Sequence, residues 1–319
     1  MAVVLLKSVD SYLRSDRLPP TPRLFLLTNI NLGIQIIAML HLRGYLTLIR
    51  PLNCIVMGFT ILVGAALTSL NGLSWLNLLF GALTSFTLTA AAMAINDYYD
   101  YDIDKINEPN RPIPSGAVSL RASLVVTGVL TALGFILAFL VTLYCLIFAV
   151  AAWAIMVAYS TFGKRSGLPG NFLVSACVAA PFLYGSLVAV NTIPLNVLLF
   201  ASMAFLSNTG REISKGIVDI DGDRSYNIKT LAVVFGGKRA ALAAAAFFVF
   251  AVCLSPIPLI YNLVSIWFVP FVLVTDVGLV YCSISLLRNS TRDNARKVKK
   301  LVLFLFIFGL LSFIAGMFR

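Results

Sequence analysis

The sequence predicts an all-α protein that crosses a membrane many times. Three observations predict it. Of 319 residues, 60% are hydrophobic and 12% are charged, against about 45–50% apolar and about 25% charged residues in a soluble domain. The mean hydropathy is +0.94, so water is not the main solvent of the folded chain. The apolar residues run in stretches of about 20, the length of a helical span, and not in the alternating segments of roughly ten that mark a membrane β-barrel. The same composition excludes a disordered chain, a collagen and a disulfide scaffold.

Nine stretches qualify as spans, near 46–70, 75–97, 120–142, 143–161, 172–191, 194–213, 239–256, 262–287 and 299–318. Taken in order, their connections alternate in charge. The first, 70–74, carries no Lys, Arg, Asp or Glu; the second carries an acidic run and Lys105, Arg111 and Arg121. The third, 141–142, is uncharged; the fourth holds Lys164 and Arg165. The fifth, 190–193, is uncharged and leads into Pro194; the sixth holds Lys215, Arg224, Lys229, Lys238 and Arg239. The seventh, 256–261, is uncharged and punctuated by Pro256 and Pro258; the eighth runs from Arg288 through Arg292, Arg296 and Lys297 to Lys299 and Lys300. The positive-inside rule places the charged set in the cytoplasm of a cell-membrane protein. It also absorbs much of the net charge of +11 without a nucleic-acid partner.

Residues 1–43 break the alternation. The apolar run 24–42 carries Asn29, Asn31, Gln35 and His41, and a span there would leave Lys7, Arg14, Arg17 and Arg23 outside. They are read as an interfacial or poorly ordered leader to a membrane domain at 44–319, without the charge order of a signal peptide. Met39 is an alternative start. Cys54, Cys145, Cys177, Cys253 and Cys282 lie far apart in apolar runs and read as buried hydrophobes. No feature fixes an oligomeric state.

The chain has 13 Asp and Glu. Most lie in two windows, 97–108 and 212–223, each at the charged end of a span. On a helix, Asp97, Asp100 and Asp104 share one side, Asn96 is a turn before Asp100, and Asp102 points away. In the second window Lys215, Asp219 and Asp223 repeat every four residues, and Asp221 faces elsewhere. Carboxylates at these spacings repel. Hard divalent cations compensate them, because Mg2+ takes carboxylate, amide and water oxygens. Two such clusters suit more than one Mg2+ bridging a polyphosphate. Arg111 in its proline-rich turn, Lys164, Arg165 and Lys215 add the cations that would hold one. Tyr98, Tyr99 and Tyr101 are candidates for stabilising positive charge beside the metal site, or for interfacial packing.

These residues resemble the UbiA superfamily of intramembrane prenyltransferases. Asn96–Asp104 is similar to its NDxxDxxxD motif and Asp219–Asp223 to its DxxxD motif. Arg50-Pro51-Leu52-Asn53, Tyr159-Ser160 with Lys164-Arg165, and Thr230-Leu231 are further matches, and the resemblance covers about residues 46–319. It implies nine helices around a central cavity, a cytoplasmic cap, and Mg2+-dependent binding of an isoprenyl diphosphate. It implies metal ligation by Asn96, Asp97, Asp100, Asp104, Asp219 and Asp223. It implies diphosphate contacts from Arg111, Lys164, Arg165 and Lys215, and Asn53 near the reacting carbon. Within the superfamily, the runs at 100–116 and 211–223 are most similar to archaeal digeranylgeranylglyceryl phosphate synthases. That implies transfer from geranylgeranyl diphosphate to the hydroxyl of geranylgeranylglyceryl phosphate, a lipid-like acceptor. Lys215-Gly216 and Leu231-Ala232 depart from that pattern, and the run at 106–116 also resembles chlorophyll synthases, so quinone-type and tetrapyrrole acceptors stay open. A cation-coupled transporter, using Asp276 within the membrane, is the alternative of another class.

Overall fold

The computed structural model describes residues 42–68, 73–226 and 228–318. Residues 1–41, which hold most of the expected leader and Met39, lie outside them. Among the described residues every regular element is helical. The first expected span is a pair, α1 (Leu42–Ile49) and α2 (Pro51–Ala66), bent by 42°. Next come α3 (Trp75–Tyr99), the short α4 (Tyr101–Asn107), α5 (Leu120–Val141), α6 (Leu143–Thr161) and α7 (Leu168–Val190). The second half comprises α8 (Leu195–Val218), the short α9 (Ile220–Ser225) and α10 (Leu231–Phe235), α11 (Gly237–Leu254), the single turn α12 (Ile257–Ile260), α13 (Phe268–Arg288) and α14 (Arg292–Gly316).

Among the described residues, seven helices are long and apolar enough to cross a membrane, and the α1–α2 pair makes eight. The expected ninth is α8. It coincides with the predicted segment, but Ser207, Asn208, Thr209, Arg211 and Glu212 interrupt its apolar character. The count of nine is therefore not reached by length and composition. The protein is a multi-pass, all-helical membrane protein.

Caps fix where several helices begin. The side-chain oxygens of Ser74, Ser119 and Thr142 accept the N–H of Asn77, Ala122 and Cys145, which supplies one missing partner to the first turns of α3, α5 and α6. Small residues fix where helices cross. A Cβ on Gly64 of α2 would collide with the Phe182 carbonyl of α7, and one on Gly185 of α7 would collide with the Ile61 carbonyl of α2. Only glycine permits that approach, the usual device for packing helices where lipid and side chain are equally apolar. One apolar core lies among α2, α3, α5, α6 and α7 and another among α8, α11, α13 and α14. A third joins the halves through Phe182, Phe200, Phe268 and Phe313.

The charged connections meet at one end. Lys164 bonds Asp100, the Lys229 N–H donates to the Arg165 carbonyl at 3.3 Å, and Gly237 packs against Ser290. At the opposite end Asn196 bonds the Leu67 carbonyl, and the Ser265 N–H donates to Gly316 at 2.7 Å. Asp276 accepts the Ser255 hydroxyl at 2.5 Å, a partner within the bundle.

Candidate active site

Both acidic runs lie where a long helix gives way to a short one. Asp100 closes α3 and opens α4, with φ −86° and ψ −2°. Asp219 does the same between α8 and α9, with φ −106° and ψ 14°. The continuous helices expected through 96–104 and 215–223 are thus each broken at the middle carboxylate. The four-residue spacing survives the breaks. The Asp100 N–H donates to Asn96 O at 3.0 Å and the Asp104 N–H to Asp100 O at 2.8 Å; the Asp219 N–H donates to Lys215 O at 3.1 Å and the Asp223 N–H to Asp219 O at 2.8 Å. Short polar side chains such as Asp favour helix ends for the same reason that they weaken helix interiors.

Each carboxylate of the first run holds a cation. Asp97, with 2% of its side chain exposed, is 2.5 Å from Arg50 and 3.6 Å from Arg111. Asp104 is 2.6 Å from Arg111. Asp100 is 2.7 Å from Lys164 and accepts the Asn96 amide at 2.9 Å. Burial pushes the Asp104 carboxyl up despite Arg111, and burial pushes the Lys164 ammonium down despite Asp100. The turn that carries Arg111 is built for the purpose. The Val118 N–H closes back on Pro112 at 2.9 Å, and Ile113 and Val118 are buried against Leu48 and Ala94.

Arg50, part of the Arg50-Pro51-Leu52-Asn53 match but given no role there, completes this network. Its backbone is left-handed, with φ 50° and ψ 68°, immediately before Pro51, where helical conformations are disfavoured. Such a conformation costs on the order of 1–3 kcal/mol and persists where the surroundings hold it. Here the bond to buried Asp97 and a contact to Met93 hold it. The partners are 47 residues apart, so no local pattern revealed them.

The second run is different. Among the described residues neither Asp219 nor Asp223 forms an ion pair. Burial, then the charge of Asp219, pushes the Asp223 carboxyl up to about 6, against a bond from Thr230. Lys215 is exposed and reaches Glu212 at 3.5 Å. Arg165 is exposed and forms no ion pair among the described residues, so the structure does not bring it to the carboxylates. Asp102 and Asp221 are exposed, as their helical angles predict.

A cavity of about 490 Å³ opens beneath the first run. Arg50, Asn53, Asn96 and Tyr159 form its polar end, and α2, α3, α6 and α7 form its walls. Apolar side chains such as Val56, Ile61 and Leu88 line it as far as Tyr184. Pro181 sits on the wall inside α7 and leaves the Cys177 carbonyl without its helical donor. Tyr98, Tyr99 and Tyr101 do not line the cavity: Tyr98 stacks edge-on with Tyr99, and Lys105 lies 3.9 Å above the Tyr101 ring. The aromatic walls are Phe148, Trp153, Tyr159 and Tyr184. Of these only Tyr159 stood in a quoted motif; the others are ordinary span residues in the sequence.

The donor set fits Mg2+. Its groups are hard oxygens, and Asp219 and Asp223 lie close enough for the charge of one to act on the other, with no ion pair to either among the described residues. Among the described residues no three Asp, Glu, His or Cys groups converge on one point. Mg2+ is commonly held by one or two carboxylates together with substrate phosphates and water.

The sequence profile of the UbiA prenyltransferase family matches residues 57–313. The chain belongs to the UbiA prenyltransferase family. It is an enzyme that transfers prenyl groups. It is 36% identical over 282 residues to the digeranylgeranylglyceryl phosphate synthase of Archaeoglobus fulgidus, covering 87% of this chain and 96% of that one. It is 35% identical over 280 residues to that of Pyrococcus furiosus, covering 87% and 98%. A solved structure described as giving insight into digeranylgeranylglyceryl phosphate synthase in membranes superposes with a TM-score of 0.78 at 32% identity, covering 87% of this chain and 98% of that one. A UbiA homologue from Archaeoglobus fulgidus bound to GPP and Mg2+ shares the fold, with a TM-score of 0.60 at 17% identity over 85% and 99% of the two chains. Both acidic runs fall within the matched residues, as does the cavity wall from Met57 onward; Arg50, Asn53 and Val56 lie just before them.

Proposed function

We propose that this enzyme transfers a geranylgeranyl group from geranylgeranyl diphosphate to the free hydroxyl of geranylgeranylglyceryl phosphate, releasing diphosphate at the cytoplasmic face of the cell membrane. One observation carries the reading: an apolar cavity long enough to reach from Asn53 and Asn96 to Tyr184 ends against a cluster of carboxylates and cations. That arrangement suits an apolar chain with an anionic head. The names borne by relatives at 36% and 35% identity support the acceptor.

In this reading Asn96, Asp97, Asp100 and Asp104 from the first run, and Asp219 and Asp223 from the second, would hold the metal. Mg2+ supplies positive charge that favours departure of the diphosphate. Lys164, Arg111 and Lys215 contact the phosphate oxygens, with Arg111 and Lys164 exchanging a carboxylate for a phosphate partner, while Arg165, away from the carboxylates, has no part in the reading. Asn53 lies at the boundary where the reacting carbon leaves the apolar wall. The faces of Trp153, Tyr159 and Tyr184 favour positive charge on the chain, and the dry wall keeps water from the allylic carbon. The acceptor oxygen bonds that carbon as the diphosphate oxygen leaves, and the hydroxyl proton is lost.

The test is product analysis with the purified full chain, Mg2+ and geranylgeranyl diphosphate. The acceptor panel is geranylgeranylglyceryl phosphate, 4-hydroxybenzoate, dihydroxynaphthoate and chlorophyllide. The reading predicts a product from the first alone. A prenylated aromatic or a chlorophyll-type ester would move the function to that acceptor class.

A further inference from the structure

A second cavity of about 480 Å³ lies between α6, α7 and α8. It shares Phe148, Ala152, Cys177 and Ala180 with the first, so the two lie back to back across one wall. We infer that this second cavity holds the apolar chain of the acceptor while the first holds that of the donor. The inference rests on the prenyl-transfer reading above and adds to it a site, an occupant and an entry for the head group.

Size argues for two chains in two cavities. Pockets of roughly 300–1,000 Å³ hold one drug-sized ligand, and each of these falls in the lower half of that range. The proposed reaction joins two molecules, each with a long apolar chain. Position argues for the acceptor in the second cavity. The first opens on Arg50, Asn53 and Asn96, beside the first carboxylate run. On α8 the residues facing the second cavity are Leu198, Ala201, Ser202, Phe205 and Leu206. Thr209 and Glu212 continue that face by one and two turns toward the charged end.

The head-group chemistry agrees. Glu212 is 2.7 Å from Arg211 and 3.5 Å from Lys215, giving two cations to one carboxylate, and the buried Nε of Arg211 has no partner among the described residues. The patch therefore suits an anionic head. It also adjoins the first site, because Tyr159, on the wall of the first cavity, lies within electrostatic range of both Asp100 and Glu212. A chain in the second cavity would present its head beside Tyr159, next to the bond that breaks. The ligand class is a singly chained, phosphate-bearing amphiphile with a free hydroxyl.

Ser202→Trp and Ala151→Trp test the assignment. Ser202 lines only the second cavity, and its hydroxyl bonds only the Leu198 carbonyl of its own helix. Ala151 is exposed and lines it from α6, so this variant decides if the first does not fold. Val56→Trp, at an exposed position on the first cavity, is the counterpart. Two quantities are read on the full chain in detergent with Mg2+: binding of labelled geranylgeranyl diphosphate, and KM for geranylgeranylglyceryl phosphate. The first two variants are expected to raise the acceptor KM about tenfold, or ~1.4 kcal/mol, with donor binding unchanged, and Val56→Trp to weaken donor binding. Weaker donor binding in Ser202→Trp or Ala151→Trp, with the acceptor KM unmoved, overturns the assignment. So does no change in either constant, which would make the cavity a seat for bilayer lipid. If the wild-type chain gives no product with this acceptor, the function fails separately, and direct binding of the labelled acceptor to wild type and Ser202→Trp still decides the cavity.

Discussion

At the scale of single residues, the charged end is an economy of opposed partners. Asp97 is almost wholly buried and is held by two arginines. Breaking a buried pair from one side leaves an uncompensated charge at a cost of about 3–5 kcal/mol. Arg50→Ala should therefore lower the melting temperature measurably, and Arg50→Ala with Asp97→Asn should recover much of the loss. An equal or larger loss in the double variant would show that Arg50 acts through its backbone and not through Asp97. Asp223 gives a pH prediction. Its carboxyl is pushed up to about 6, so the fold favours its protonated form. That contribution to stability is present at low pH and is lost as the pH rises through about 6. Ligand protons compete with metal, so Mg2+ affinity should fall as the pH drops through the same range. Asp223→Asn should flatten both dependences, which melting curves and Mg2+ titration at pH 5 and 7.5 would read.

At the scale of elements, hydropathy and loop charge together located the long helices, because both are one-dimensional signals. Boundaries at the charged end were less legible. α14 begins at Arg292, before the expected 299, because Arg and Lys are good helix formers even where they end a span. α7 begins at Leu168, not 172. The breaks at Asp100 and Asp219 were invisible, since a four-residue repeat reads the same through a continuous helix and across such a junction. The carboxylates were legible as a stripe, whereas their cation partners at Arg50 and Lys164 come from other elements. The contact of α2 with α7 carries a prediction of its own. Gly185→Ala would drive a Cβ into the Ile61 carbonyl. It should destabilise the fold by about 1–3 kcal/mol, the usual cost of overpacking, and narrow the cavity that these helices enclose. Unchanged melting and donor binding would contradict that packing.

At the scale of the molecule, charge is sorted to one end and an apolar cavity leads away from it. That layout disfavours the transporter alternative, which expects acidic groups along a path or paired across repeats. Asp276, among the described residues the one acid deep in a span, is hydrogen-bonded to Ser255. The proposed cytoplasmic sidedness has its own test. A cysteine placed at Ser290 should be labelled by an impermeant thiol reagent only in inside-out vesicles, and one at Asn191 only from the opposite face; the reverse would overturn the cytoplasmic assignment. The central claim is that the carboxylate run and Mg2+ act together in prenyl transfer. Its most direct test is the rate of transfer from geranylgeranyl diphosphate by wild type and Asp100→Ala, with and without Mg2+. The account predicts turnover that depends on Mg2+ and falls by at least about 10²–10³-fold in the variant, the scale of losing an electrostatic contact to the transition state. Turnover without divalent metal, or an Asp100→Ala enzyme as fast as wild type, would contradict it.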